Sequence, residues 1–219
     1  MDVLVKLNIP KNSEIEFYEH FLIYKKAKIL YSDIDGIAYL YTKTRYRINF
    51  IPVGISHNYV ILIRDRGIVH KITFRGQSNQ ELFSKLANAI EILIKPFVLV
   101  NLLIDYIKNN KLEIKNLTIS PDGLYRKRIL RSPAFLPWDE YYNAGMHKGS
   151  VFIVRRNNKK IYKNYFNLSM ASINAIVLPD LIKFLFSKNG KLDEVDRKNI
   201  INQKTQLTNS SAFSAAAKN

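Results

Sequence analysis

The segment AFLPWDEYY, residues 134–142, contains the only tryptophan of the chain and lies within a run of short predicted strands. Before it, EIKNLTIS and LYRKRIL have strand patterns and are separated by the turn sequence PDG at 121–123. After it come GSVFIVRR and IYKNYFNL, separated by the turn sequence NNKK. An amphipathic helix follows, with Pro179 near its start and Gly190 just past its end. The second half of the chain is therefore predicted to be a set of antiparallel strands followed by one helix.

The first half of the chain has the same order of predicted elements. Strand patterns run from 15 to 75, in EFYEHFLIYKK, AKILYS, GIAYLYTKTRYRINF, YVILIR and IVHKITFR. From residue 78 the apolar spacing changes from two to 3.6 residues, which predicts a helix. LYSDI at 30–34 also stands about where LPWDE at 136–140 stands in the second half. We interpret the two halves as a degenerate internal duplication.

A second helix is predicted over 96–108, because Pro96 is tolerated in a first helical turn and costly in a helix interior. The surrounding apolar run, 89–107, is nearly long enough to cross a bilayer, but it is interrupted by Glu91, Lys95, Asn101 and Asp105. Each charge near a bilayer centre costs about 2.5 to 3.5 kcal/mol on insertion scales. This run therefore favours a helix outside the membrane and no transmembrane segment.

Two predictions concern the ends of the chain. The N-terminus has no secretory-signal pattern, so we expect the mature chain to start at Met1 and to be cytoplasmic. Residues 191–219 lack apolar periodicity, which predicts a mobile tail.

A strongly bent antiparallel sheet closed by a C-terminal amphipathic helix is the pleckstrin-homology-like (PH-like) architecture, and the chain resembles it twice. The segments ISPDGLYRKR, LPWDEY, KGSVFIVRR and INAIVLPDLIKFL are similar to the second repeat of an uncharacterised bacterial family of tandem PH-like domains. The first half departs from that pattern, with Tyr31 where a tryptophan is expected. The positions that carry the resemblance are Gly123, Trp138, Asp139, Asn174, Leu178 and Leu181.

The resemblance implies an α+β fold of two PH-like antiparallel sheet or barrel domains, each followed by an amphipathic helix. The implied divisions are a first domain at 14–95, a helical linker at 96–110, a second domain at 111–188 and a mobile tail at 189–219. The matching positions are signatures of a fold and carry no chemistry. The resemblance therefore implies an architecture more firmly than an activity.

Candidate catalytic and metal-ligating residues are few. The chain has no cysteine, and its four histidines have no ligand-like spacing. The acidic pairs Asp33 with Asp35 and Asp139 with Glu140 are interpreted as turn and core-edge residues, because Asp bonds its own backbone in turns. Neither a phosphate-binding glycine loop nor a G-x-S-x-G elbow is present. We expect a non-enzymatic protein without a cofactor or metal.

The net charge of +16 indicates contact with a polyanion. Residues 1–110 carry 15 basic and 10 acidic residues, whereas 111–219 carry 19 and 8, so the excess rises from +5 to +11. An equally weighted alternative is compositional drift, since a chain rich in Lys, Ile, Asn and Tyr is typical of an AT-rich genome. Three groups of basic residues stand out: Lys43, Arg45 and Arg47; Arg126, Lys127, Arg128 and Arg131; and Arg155, Arg156, Lys159 and Lys160.

The segment TKTRYRINF, residues 42–50, places the first basic group on one face of a predicted strand, because strand side chains alternate. KTRYR also resembles the K-x-[KR]-x-R pattern with which PH-like folds recognise phosphate. This group is the candidate for one discrete phosphate, and Arg126, Arg128, Arg155 and Arg156 are the candidates for collective attraction. We therefore expect a binding or scaffolding module for anionic lipid headgroups, peripheral to a membrane, or for an acidic protein.

Nucleic acid is the alternative partner. Tyr41, Tyr46, Tyr125 and Tyr162 are interleaved with the basic residues, as stacking platforms for a single strand would be. Tyrosine is equally common as an ordinary strand residue, so this pattern does not decide between the partners.

Overall fold

The computed structural model describes residues 2–10, 13–127, 133–157 and 160–216, and within these the side chains of 48, 157, 160–164 and 210–216 lie outside the description. Its described part is an α+β fold of antiparallel sheets and helices. The α+β class and the antiparallel pairing confirm the sequence-based prediction.

The first half contains a four-stranded and a three-stranded antiparallel sheet. Strands β1 to β4 form the first in chain order: Val5–Ile9, Ser13–Phe17, Phe21–Tyr24 and Ala27–Leu30. A 3₁₀ turn at Tyr31–Asp33 leads to the second, which consists of β5 (Ile34–Ile48), β6 (Ile51–Asp65) and β7 (Ile68–Arg75). Strand β1 precedes the first strand predicted from the sequence, so this half begins earlier than residue 14.

Two helices follow β7, α1 at Gln80–Leu93 and α2 at Lys95–Asn109. Their bounds lie within two residues of the predicted ones. No single helix among the described residues is long and apolar enough to cross a membrane, although α1 and α2, bent by 48° at their junction, pass that test as a pair.

The second half repeats the order of the first. Strands β8 to β11 form a four-stranded sheet: Leu112–Ile114, Leu117–Ser120, Gly123–Arg126 and Ala134–Pro137. A 3₁₀ turn at Trp138–Glu140 leads to a three-stranded sheet of β12 (Tyr141–His147), β13 (Ser150–Asn157) and β14 (Lys160–Ser169). Helix α3 (Leu178–Ser187) then follows, as α1 does in the first half. The described strands form open sheets with no closed barrel, so the barrel form of the prediction is not met.

One prediction about the C-terminus was wrong. The segment expected to be a mobile tail contains α4, Glu194–Ala216. Ile200 of α4 is only 4% exposed and belongs to the apolar core, and Leu207 packs against that core. Lys204 and Leu207 lie beside Phe97 and Val100 of α2. The helix is therefore docked on the molecule.

The core is continuous through both halves, with α2 at its centre. Phe97, Val98 and Leu103 of α2 are buried in the same apolar cluster as residues of all four sheets. The ring of Phe97 meets that of Tyr31 edge to face at 5.5 Å. The Tyr106 hydroxyl donates a 2.6 Å hydrogen bond to the carbonyl of Gly190. The predicted linker helix is thus a core element.

Direct backbone contacts also join the two halves. The Tyr39 N–H donates to the carbonyl of Met170 at 3.1 Å. The Asn174 side chain accepts from the Ile37 N–H at 3.2 Å and donates to the Asp35 carbonyl at 3.0 Å. The chain after β14 therefore covers the edge of β5. Asn174 makes its two hydrogen bonds from the left-handed region, with φ of 65°.

Candidate anion-binding arm

Strands β5 and β6 are much longer than the strands that occupy the same places in the second half. Each has 15 residues, whereas β12 has 7 and β13 has 8. Strand β7 pairs with β6 only from Asn58 onward, so residues 43–57 project as a two-stranded ribbon. We call residues 43–57 the arm. At about 3.3 Å per residue, the arm extends roughly 23 Å beyond Asn58.

An aromatic cluster holds the base of the arm. The ring of Tyr41 stacks on Tyr59 at 5.1 Å, and Tyr59 in turn lies 5.1 Å from Phe83 of α1 and 5.6 Å from Phe74 of β7. The Tyr41 hydroxyl is 2.9 Å from Nδ1 of His57. Burial raises the pKa of the Tyr59 hydroxyl. The direction of the arm is therefore fixed by packing against α1.

Lys43, Arg45 and Arg47 lie on β5 and are all exposed, as are Thr42, Thr44 and Tyr46 on the opposite face of the strand. We call Lys43, Arg45 and Arg47 the cationic row. The row continues the face of Tyr39 and Tyr41, and therefore extends outward from the inner, core-facing side of the sheet. His57 and Ile55 stand opposite Lys43 and Arg45 on β6. No described acidic group forms an ion pair with the row.

The tip of the arm is apolar and exposed. Asn49 and Phe50 form the turn, with φ values of 48° and 66°. The expected alternation of residues 42–50 is therefore wrong for its last two members, which lie in the turn and not in the strand. Phe50 is 92% exposed, Ile51 65% and Val53 53%. We call residues 49–53 the tip.

The third basic group is engaged within the protein. The Arg155 guanidinium forms an ion pair with Glu140, which raises the pKa of Arg155, and lies 5.1 Å from the centre of the Tyr165 ring. The Arg156 guanidinium lies 4.0 Å from the centre of the Tyr142 ring. Lys159 lies outside the described residues, and of Lys160 only the backbone is described, as the first residue of β14.

The second basic group is only partly described. Arg126 is half-buried on β10 and Lys127 is exposed just after it, whereas Arg128 and Arg131 lie outside the described residues. The neighbouring Tyr125 stacks on Phe135 of β11 at 4.3 Å. Tyr162 is a residue of β14 whose side chain is not described. Of the three basic groups, only the cationic row is both fully described and without an ion pair among the described residues.

The candidate acidic residues lie in separate contacts. Asp35 accepts a 2.6 Å hydrogen bond from Nε of Arg64, and Asp33 lies 3.7 Å from Nε of Arg66. Asp139 and Glu140 belong to the 3₁₀ turn of the second half, where Glu140 pairs with Arg155. Within the described residues there is no group of three or more His, Cys, Asp or Glu side chains placed to hold a metal ion.

The sequence reasoning missed the tip. Its signal is present in INFIPVGI, residues 48–55, where apolar residues flank a turn that has no glycine in it. The first part of β6 was not predicted, because Pro52 and Gly54 are residue types that are depleted in strands. Comparison of the chain with models of known protein families and with curated proteins finds no match.

Proposed function

We propose that the chain is a non-enzymatic binding module, built from two PH-like halves, that docks on anionic membrane surfaces through the cationic row. The PH-like part of the proposal is supported by the order of elements, since each half has four strands, a 3₁₀ turn with a buried aromatic residue, three strands and a helix. The second half shows that this order can be built without an arm.

The observation that carries the proposal is the charge of the arm. Lys43, Arg45 and Arg47 project from the core, and no acidic residue occurs between Asp35 and Asp65 in the sequence. Each Lys or Arg near an anionic leaflet contributes about 1 kcal/mol. Three such residues would strengthen binding by at most about 3 kcal/mol, a factor of at most roughly 150 that added salt would reduce.

A membrane fits the arm better than a single-stranded nucleic acid does. Stacking on bases requires exposed aromatic rings beside the cations. Tyr46 is the exposed tyrosine of the arm, but it alternates with Arg45 and Arg47 and so lies on the opposite face of β5. Tyr41 shares the face of the row and is 47% exposed, but one side of its ring is already covered by Tyr59. An acidic protein remains the partner to expect if neither polyanion binds.

The test is co-sedimentation with phosphatidylcholine vesicles that contain either no anionic lipid or about one-third phosphatidylserine. Replacing Lys43, Arg45 and Arg47 together with Gln should abolish the preference for the anionic vesicles, a loss of roughly 100-fold at low salt. A matched control replaces Lys115, Lys148 and Lys183 with Gln, none of which belongs to the three basic groups. These three residues are exposed in the second half, and their replacement removes the same charge.

The control separates the row from overall composition. Equal losses in the two triple variants would show that the net charge of +16 acts without a site, and the proposal would fail. The same variants are titrated with single-stranded DNA at two salt concentrations. Binding to DNA that depends on the row, without binding to anionic vesicles, would assign the arm to nucleic acid instead.

A further inference from the structure

We infer that the tip of the arm inserts into the membrane and acts as an apolar anchor, with the cationic row above it at the headgroups. This inference rests on the proposed function, because it assigns the depth and orientation of the same arm. The partner is a bilayer with anionic headgroups, and the arm meets it end-on.

The first argument is the chemistry of the tip. Phe50, Ile51 and Val53 are 92%, 65% and 53% exposed, and Ile55 behind them is 54% exposed. Apolar side chains of this size favour burial, and a contiguous exposed group of them marks an interaction site. The cations follow directly behind the apolar tip. An apolar end with a basic collar is complementary to a bilayer, whose apolar interior lies beneath anionic headgroups.

The second argument is the conformation of Phe50. With φ of 66° it occupies the left-handed region, which disfavours bulky residues and favours glycine. Asn49 before it, with φ of 48°, completes a turn of the kind for which Asn-Gly is the preferred sequence. A glycine at position 50 would suit the hairpin better. Phenylalanine neither favours this turn conformation nor packs in the core of the protein. A residue that breaks a local rule without a gain in stability is expected at a site that contacts a partner.

The third argument is the spacing between the tip and the cations. At about 3.3 Å per residue, Arg47, Arg45 and Lys43 lie about 10, 17 and 23 Å from Phe50. A tip buried about 5 to 10 Å below the headgroup boundary would place Arg47 among the headgroups. Arg45 would then lie within about one Debye length of the headgroups, and Lys43 would lie farther from the headgroups than one Debye length. End-on docking therefore ranks the cations Arg47, Arg45, Lys43, whereas an arm lying flat would weight them equally.

The backbone limits the depth of insertion. Outside the bond from the Gly76 N–H to the His57 carbonyl, the two outer edges of the arm have no strand partner, because β5 is the edge strand of its sheet and β6 pairs with β7 only from Asn58 onward. Unpaired N–H and C=O groups are costly in the hydrocarbon core. Pro52, within the tip, has no N–H group and so leaves one donor fewer to satisfy. Only the last few residues of the arm can therefore enter the bilayer, and they remain at its boundary.

The first experiment separates anchoring from folding with the substitution Phe50→Gly. We expect an unchanged or higher melting temperature, because the turn gains its preferred residue, together with about tenfold weaker binding to anionic vesicles. The matched control is Ile68→Ser, which removes a side chain that is 63% exposed at the opposite end of the same sheet. It should not change binding. Unchanged binding of Phe50→Gly, or a large fall in its melting temperature, would overturn the inference.

The second experiment measures depth with a tryptophan at the tip. The native Trp138 is only 3% exposed and serves as an internal reference. The emission of Phe50→Trp should shift to the blue on vesicle binding and be quenched by lipids brominated near the headgroup end of the acyl chain. Ile68→Trp should show neither change. If Phe50→Trp sediments with anionic vesicles but the introduced indole stays unquenched, the anchor is refuted and the proposed function stands. If neither Phe50→Trp nor the unsubstituted chain sediments, the proposed function itself fails.

Single substitutions of the row test the orientation. Arg47→Gln should weaken vesicle binding most and Lys43→Gln least, and equal losses would refute end-on docking. A competing role for the tip is attachment to a second copy of the chain. Sedimentation velocity addresses it: an oligomer that Phe50→Gly dissociates in the absence of lipid would overturn the inference.

Discussion

At the scale of single residues, Tyr31 and Trp138 show what the two halves share. Each begins the 3₁₀ turn between the two sheets of its half, and each is buried. The Tyr31 hydroxyl donates to the Tyr18 carbonyl at 2.7 Å, and Nε1 of Trp138 donates to the Ser120 carbonyl at 3.0 Å. The sequence could predict this equivalence, because both aromatic residues stand shortly before an aspartate at matching points of the strand order.

Replacement of Trp138 tests its role in the core. We expect Trp138→Ala to lower the free energy of unfolding by about 3 to 5 kcal/mol, because it leaves a cavity where the indole packs. Trp138→Phe should lower the free energy of unfolding by less, because an aromatic ring still fills most of the site. The cost that remains includes the lost hydrogen bond to the Ser120 carbonyl. Urea unfolding followed by circular dichroism is the measurement, because the chain has one tryptophan and its fluorescence is lost. A cost under about 1 kcal/mol for Trp138→Ala would show that the site collapses without strain.

At the scale of elements, the sequence predicted best where the periodicity is strong. The apolar stripe predicts α1 to within two residues of its start, and the alternation predicts β5 as far as Ile48. The start of β6 was missed, because Pro52 and Gly54 are poor strand residues that a solvent-exposed ribbon tolerates. Helix α4 was missed because its buried side rests on a few residues, among them Ile200 and Leu207. Tertiary contact with α2 stabilises this helix more than its own pattern does.

The long arm should be dispensable for folding. Replacing residues 43–57 by Asn-Gly would close β5 and β6 at the Thr42 and Asn58 pair, with a turn that suits a two-residue hairpin. We expect the free energy of unfolding to fall by only about 1 to 2 kcal/mol, because the described side chains removed are exposed except for Ser56 and the buried His57, which bonds Tyr41, and because a shorter loop is easier to close. Chemical denaturation tests this. Failure of the shortened chain to fold would make the arm a structural element and remove the main reason to assign it a binding role.

At the scale of the whole molecule, the two halves are tied together more closely than the sequence suggests. Lys95, at the start of α2, forms 2.7 Å ion pairs with Glu91 of α1 and with Asp180 of α3. Asn174 bonds the edge of β5, and Tyr106 bonds Gly190. Sequence patterns describe contacts within an element or a hairpin, so contacts between residues more than 80 positions apart could not be read from them. The predicted division into two domains remains a prediction.

The continuous core predicts one cooperative unfolding transition for the chain, with equal calorimetric and van't Hoff enthalpies. Two independent PH-like domains would give two transitions in differential scanning calorimetry. Asn174→Ala sharpens the test, because it leaves the Ile37 N–H without its partner at a cost of about 1 to 3 kcal/mol. In a single cooperative unit this variant lowers the whole transition by about 2 to 4 °C per kcal/mol. If it splits the transition, or if residues 111–219 fold alone, the halves are separate domains and α2 is a linker after all.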